Sequence, residues 1–165
     1  MANLYTKCKN IKIVITDVDG VLTDGGMYYT DEGDTMKKFH VRDGMGVTLL
    51  RRQNIPTIIV TKEKTRIVKQ WANSMKIATL YDGVVKKESM LEKICAKFNV
   101  KPNQIAYIGD DVNDLELLKK VGLSAVPNDA ISESKKICHY VCNTKAGQGA
   151  FRELADLILH SQKKH

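Results

Sequence analysis

Short runs of β-branched and aliphatic residues recur along the chain, each ending in a polar or glycine-containing step. Ile11 to Thr16, Thr57 to Val60, Ile105 to Gly109 and Leu123 to Val126 are almost continuously apolar, the pattern of strands buried on both faces of a parallel sheet. Thr79-Leu80 and His139 to Val141 predict two shorter strands. Between these runs, Lys64 to Met75, Lys86 to Phe98, Val112 to Val121, Ser132 to Ile137 and about Ala150 to His160 read as helices. Met90, Leu91, Ile94, Cys95 and Phe98 share one helical face, and Phe151, Leu154, Ala155 and Ile158 share another. Gly44 to Gln53 reads as a further helix with Val47, Leu49 and Leu50 inward. Met27 to Thr30 and Thr35 to Val41 flank Asp31-Glu32-Gly33-Asp34, which predicts a β-hairpin with a glycine-containing turn. Strands alternating with helices form right-handed βαβ units. The expected class is therefore α/β, a doubly wound, Rossmann-like parallel sheet with a β-hairpin after the first strand.

Length and composition narrow this without changing it. At 165 residues the chain is expected to be a single domain over residues 1–165, with no repeat or linker. A 43% hydrophobic, 27% charged composition excludes a disordered chain. No apolar run approaches the ~20 residues of a membrane helix, and the first ten residues carry no apolar signal core, so a cytoplasmic protein without a membrane partner is expected. The formal charge of +7 comes from scattered lysines and arginines, which predicts a solvated basic surface and no nucleic-acid partner. Cys8, Cys95, Cys138 and Cys142 lack the partner spacing of a zinc site and are expected to pack as small hydrophobes.

In a doubly wound sheet, ligands bind beyond the carboxyl ends of the strands, and the polar clusters fall there. The first strand ends in Asp17 and Asp19, the next central one in Thr61, and a later one in Gly109-Asp110-Asp111 with Asp114 beyond; Lys87 opens a helix. Crowded carboxylates repel one another unless a cation offsets them, and an all-oxygen set without cysteine or histidine suits Mg²⁺. Carboxylates, a divalent ion, a hydroxyl and a lysine are the parts that hold and attack a phosphoryl group. Singly, Asp-x-Asp-Gly would suit a turn and Gly-Asp-Asp a helix cap; together, each at its own strand end, they predict a catalytic site.

With Asp17-Val18-Asp19-Gly20-Val21-Leu22-Thr23-Asp24, Thr61, Lys87 and Gly109-Asp110-Asp111-Val112-Asn113-Asp114, the sequence resembles the haloacid dehalogenase superfamily of aspartate-nucleophile phosphatases. Phe39 to Gly44, Tyr107 to Asp111 and Gly147 to Glu153 extend a narrower resemblance over nearly the whole chain, to the 3-deoxy-D-manno-octulosonate 8-phosphate phosphatase family and its nonulosonate 9-phosphate relatives. The resemblance implies no large cap domain, a homotetramer whose hairpins and neighbouring subunits close the site, and Mg²⁺ as cofactor. The implied substrate is a small phosphorylated 2-keto-3-deoxy sugar acid of cell-surface lipopolysaccharide synthesis.

The implied roles follow residue by residue. Asp17 is the nucleophile and Asp19 the general acid and base. Asp17, the Asp19 backbone carbonyl and Asp110 hold the metal, with Asp111 in the metal set at longer range and Asp114 behind it. Thr61 and Lys87 bind the phosphoryl group. Asp19, His40, Val41, Arg42, Asp43, Gly44, Glu63 and Lys87 contact substrate. The chain departs from the octulosonate pattern at Lys62, where glycine is common, and at Thr48, Glu63 and Trp71, where arginines are. Thr61 to Thr65 looks more like the nine-carbon branch. Other readings are a nonulosonate 9-phosphate phosphatase and a silent oligomerisation module like the domain fused to some cytidylyltransferases; the intact aspartates speak against the module. Arg152 and Glu153 read as a helix-start ion pair or a tail contact to a neighbour's site, Trp71 as core or interface, and Met45, Met75 and Met90 as core fillers.

Overall fold

A computed structural model describes residues 2–163. Six parallel strands form the sheet: β1 (Ile13–Thr16), β4 (Thr57–Val60), β5 (Thr79–Tyr81), β6 (Ile105–Ile108), β7 (Leu123–Val126) and β8 (Tyr140–Val141), in the spatial order β5-β4-β1-β6-β7-β8. β2 (Tyr28–Thr30) and β3 (Gly33–Met36) make a separate antiparallel hairpin with a register shift at Tyr28/Tyr29. The helices are α1 (Ala2–Lys9), α2 (Val41–Arg52), α3 (Arg66–Ser74), α4 (Leu91–Phe98), α5 (Leu115–Lys120), α6 (Ser132–Ile137) and α7 (Ala150–Gln162). The fold is the expected α/β one, with the hairpin after the first strand and no large cap.

Strand residues alternate between two cores because successive side chains point to opposite faces. Val14, Ile59, Ala106 and Ile108 join Val47 and Leu50 of α2, Val68 of α3 and Phe151, Leu154 and Ile158 of α7. Ile13, Ile15, Ile58, Ile105 and Tyr107 join Leu91 and Ile94 of α4 and Leu117 and Leu118 of α5. Helices on both faces leave β1, β4 and β6 without polar exposure, which is why those strands read as continuous apolar runs.

Several local readings are corrected. The helix predicted from residue 44 begins three residues earlier, because His40 caps it: its Nδ1 accepts from the Arg42 backbone N–H at 3.2 Å. Residues 86–98 and 112–121 each open with a 3₁₀ turn, Lys87–Met90 and Val112–Asp114, before the α-helix starts. Met45 is 46% exposed and fills no core, whereas Met75 and Met90 pack against the two cores. Cys8 and Cys142 are buried and Cys95 and Cys138 half-buried, all as free thiols. Trp71 stacks on Phe39 at a centroid distance of 4.7 Å and 12° between planes, half-buried at the edge of the first core. Arg152 pairs with Asp156 one helical turn on, not with Glu153. Glu153 instead accepts from the Tyr140 hydroxyl, the Asn143 backbone N–H and both the backbone N–H and hydroxyl of Thr144.

Candidate active site

Parallel register brings distant residues to one edge. Thr16 lies opposite both Ile59 and Ile108, so Asp17 and, one residue further along their own strands, Thr61 and Asp110 emerge at the same edge, at the carboxyl ends of β1, β4 and β6. β1 lies between strands reached in opposite directions along the sheet, the switch point where such folds open a crevice. The crevice here has a volume of about 290 Å³ and is lined by Asp17, Asp19, Thr61, Lys62, Glu63, Asp110, Asp111, Val112 and Asn113.

The loops leaving β1 and β6 are shaped by glycines. Gly20 has φ +83°, and a Cβ there would lie 2.1 Å from Asp110 Oδ2. A Cβ on Gly109 would lie 2.5 Å from the Asp114 carboxyl carbon. A side chain at either position would push the acids apart, so the glycines set how closely they gather.

Lys87, fully buried, reaches the floor of the crevice from the start of its 3₁₀ turn. Its Nζ lies 2.7 Å from Asp17 Oδ2 and 2.6 Å from Asp114 Oδ1. Burial works against the ammonium charge, but Asp17 and Asp114 more than reverse this and raise its pKa. Asp114 is also fully buried and its oxygens are taken: Oδ1 accepts from Lys87 and from the Tyr107 hydroxyl at 2.6 Å, Oδ2 from the backbone N–H groups of Asp110 and Asp111. It ties the lysine to the loop that carries Asp110.

Burial pushes the Asp17 carboxyl up to about 6, with Lys87 pulling it down and Asp114 pushing it up. Asp110 is pushed to about 8, first by burial, then by the charges of Asp114 and Asp17. Carboxylate oxygens of Asp17, Asp110 and Asp114 lie within 4.8 Å of one another. One lysine does not balance three acids, and hard oxygen donors without nitrogen or sulfur fit a Mg²⁺ ion. Because the lone pairs of Asp114 are occupied by four donors, Asp17 and Asp110 are the pair with capacity left for a cation.

Asp19 stands at the crevice wall. Its Oδ1 accepts from Lys37 Nζ at 2.7 Å and from the Thr23 hydroxyl at 3.2 Å, while Oδ2 is enclosed with no hydrogen-bond partner. Lys37, with a side chain 0% exposed, follows the hairpin directly and so couples it to the crevice. Thr61 is held on both sides, its N–H donating to the Tyr81 carbonyl and its carbonyl accepting from the Val84 N–H. Asp111 is exposed, and its Oδ1 caps Val112 at 2.7 Å.

The residues expected to contact substrate divide. Glu63 lies on the crevice wall with Asp17 and Asp19. His40, Val41 and Gly44 line a different, shallow hollow of about 450 Å³ with Phe39, Met45, Thr48, Trp71 and Met75. Arg42 is exposed. Asp43 is fully enclosed and is engaged elsewhere. Its Oδ1 accepts from the Arg152 N–H at 2.9 Å, holding the first turn of α7. Burial pushes its carboxyl to about 6 against hydrogen bonds from the Arg152, Gly149 and Phe151 backbones. The structure therefore sets the Asp43 carboxylate at the start of α7, apart from the crevice, with its Oδ2 enclosed and without a hydrogen-bond partner.

Two site residues escaped the sequence reading. Lys37 adjoins Lys38 in the sequence, and nothing local distinguishes the buried one. Tyr107 did carry a signal: a phenol in the aliphatic run Ile105 to Ile108 needs a buried acceptor, which Asp114 supplies.

Comparison with known proteins shows the family. Residues 52–154 match the haloacid dehalogenase-like hydrolase family. A 3-deoxy-D-manno-octulosonate 8-phosphate phosphatase of Yersinia pestis is 39% identical over 162 residues, 98% of this chain and 87% of that protein. The Moraxella catarrhalis phosphatase of that name, solved with a magnesium ion, a phosphate ion and KDO, superposes with a TM-score of 0.95 at 32% identity, covering 98% of this chain and 93% of that one. A cobalt-bound form of the Haemophilus influenzae octulosonate 8-phosphate phosphatase gives a TM-score of 0.92 at 38% identity, covering 94% and 91%. At such identity over nearly the full length of both chains, this chain belongs to the haloacid dehalogenase-like hydrolase family, and within it to the phosphatases.

Proposed function

We propose that the chain hydrolyses the phosphomonoester of a 2-keto-3-deoxy sugar acid, of the 3-deoxy-D-manno-octulosonate 8-phosphate type, through an aspartyl-phosphate on Asp17 with Mg²⁺ as cofactor. The observation that carries this reading is the buried Lys87 held 2.7 Å from Asp17 at the floor of a crevice walled by carboxylates. The names of the relatives supply the substrate class.

Asp17 attacks phosphorus through the oxygen that Lys87 leaves open, and the bond from phosphorus to the sugar oxygen breaks. Asp19 gives a proton to that departing oxygen, then takes one from the water that attacks the aspartyl-phosphate, releasing phosphate and restoring Asp17. Its Oδ1 is held by Lys37, so Oδ2 is the oxygen left to carry the proton. Lys87 and the Thr61 hydroxyl meet the charge on the transferring phosphoryl oxygens. Asp17 and Asp110, with the Asp19 carbonyl and Asp111 further out, are the residues that would hold the ion. When bound, Mg²⁺ offsets the crowded carboxylates and withdraws charge from the phosphoryl group. The substrate-contacting role of His40, Val41, Arg42 and Gly44 requires a second subunit. Exposure of Met27, Tyr28, Tyr29 and Met36 on the hairpin supports the homotetramer in which such contacts form.

Glu63 on the crevice wall favours a second reading, a nine-carbon nonulosonate 9-phosphate, because a carboxylate there accepts from hydroxyl or amide hydrogens. Phosphate release with Mg²⁺ from matched eight-carbon and nine-carbon keto-acid phosphates decides between them, with Asp17→Asn as the blank. Turnover of the eight-carbon ester that disappears in Asp17→Asn is expected. A preference for the nine-carbon ester gives the second reading, and residual turnover in the variant removes Asp17 as nucleophile.

A further inference from the structure

The wall of the crevice carries five carboxylates: Asp17, Asp19, Glu63, Asp110 and Asp111. Two lysines serve them from behind. Lys87 is bound to Asp17 and Asp114, and Lys37 to Asp19, both with side chains 0% exposed. Lys62 is the one cationic side chain on the wall itself; it is exposed, and among the described residues no ion pair holds it. Its position is set by the strand end. The two backbone hydrogen bonds on Thr61 anchor the chain just past the end of β4, so Lys62 is the first residue beyond that anchor and lies on the crevice wall.

From this arrangement we infer that Lys62 is a specificity-determining residue, binding the carboxylate of the substrate's sugar-acid portion. The inference rests on the proposed substrate class and adds a residue to it. A phosphoryl group in reach of Asp17 lies on the floor, where Lys87 and Thr61 meet it, so the rim faces what projects outward. An outward carboxylate would there meet Glu63 and Asp111, and like charges in a narrow crevice oppose binding. Lys62 offsets that repulsion, and its flexible stem lets an ammonium follow a ligand that a planar guanidinium would have to match in angle. A phosphate ester without a carboxylate gains nothing from it.

The test is steady-state kinetics of the full chain with Mg²⁺ on two esters: an eight-carbon keto-acid phosphate and a hexose 6-phosphate, which lacks the carboxylate. Lys62→Gln is expected to raise KM for the keto-acid ester about tenfold, the size of one charge-assisted contact. Its kcat should stay within about twofold, with KM for the hexose ester unmoved. Lys62→Arg should recover most of the loss. An equal rise in KM for both esters would assign the lysine to the phosphoryl group and overturn the inference, as would no change in either. The wild type separates this from the substrate reading. If it shows no preference for the keto-acid ester, the substrate class falls and the carboxylate contact with it; if it shows one that Lys62→Gln retains, only the lysine falls.

Discussion

Asp110→Asn should stabilise the metal-free protein while greatly weakening its response to Mg²⁺. The Asp110 carboxyl is pushed from an ordinary 3.8 to about 8 by burial and by Asp114 and Asp17. Each tenfold change in proton affinity is worth about 1.4 kcal/mol, so keeping this group ionised at pH 8 costs the native state about 5 kcal/mol relative to the unfolded chain. The group is only partly buried by exposed area, and solvent screening reduces this to about 2.5 kcal/mol. For a chain of this length that corresponds to about 7 °C in Tm. The sign follows from proton linkage. Between about pH 4 and pH 8 the native state holds protons that the unfolded chain has released, so wild-type stability in EDTA falls as pH rises through that window. Asparagine removes Asp110's share of this fall. Mg²⁺ displaces the same protons and should raise the wild-type Tm most at pH 8, and that of Asp110→Asn far less. Thermal melts at pH 5 and pH 8, with EDTA or with Mg²⁺, are the assay. An Asp110→Asn protein less stable than wild type in EDTA at pH 8, or one equally stabilised by Mg²⁺, would refute the repulsion argument.

Three other outcomes are expected. Lys87→Met removes the buried cation between Asp17 and Asp114 and should lower kcat by about 10² to 10³ and stability by about 3–5 kcal/mol; a kcat within threefold of wild type in folded protein would take Lys87 out of the chemistry. Asp17→Asn should leave no measurable phosphate release with an unchanged circular dichroism spectrum. In Glu153→Gln, the carboxylate that gathers Tyr140, Asn143 and Thr144 is lost, with about 2 kcal/mol of stability at pH 7. Burial works to raise the Glu153 carboxyl, but its donors overcome this and hold it below the ordinary 4.5, so that stabilisation is present above pH 4.5 and fades as pH falls. The Tm gap between the two proteins should narrow at pH 4, and a constant gap would contradict the assignment.

Where local sequence controls structure, the reading succeeded. β4, β7 and α6 have the predicted bounds, and Phe151, Leu154, Ala155 and Ile158 are all buried, because apolar periodicity is itself the cause of one-sided burial. α1 went unread. Its eight residues are too short a run for a helical period to stand out, and it is held by packing against α7, with Gln162 donating to the Cys8 carbonyl.

The sequence by itself determined the chemistry available: Asp17 and Thr61 follow directly on strands and Asp110 one residue later, and a parallel sheet in register must bring such residues to one edge. It could not determine which neighbour each acid would find. Asp43 and Asp114 look alike in one dimension, each an aspartate beside a conspicuous motif. Tertiary packing sends Asp43 to the start of α7, 109 positions away, and Asp114 beneath the crevice against Lys87 and Tyr107. It also buries Lys37 while leaving Lys38 exposed. Charge in a folded protein is governed by burial and by partners within a few ångströms, and those distances exist only once the chain has closed on itself.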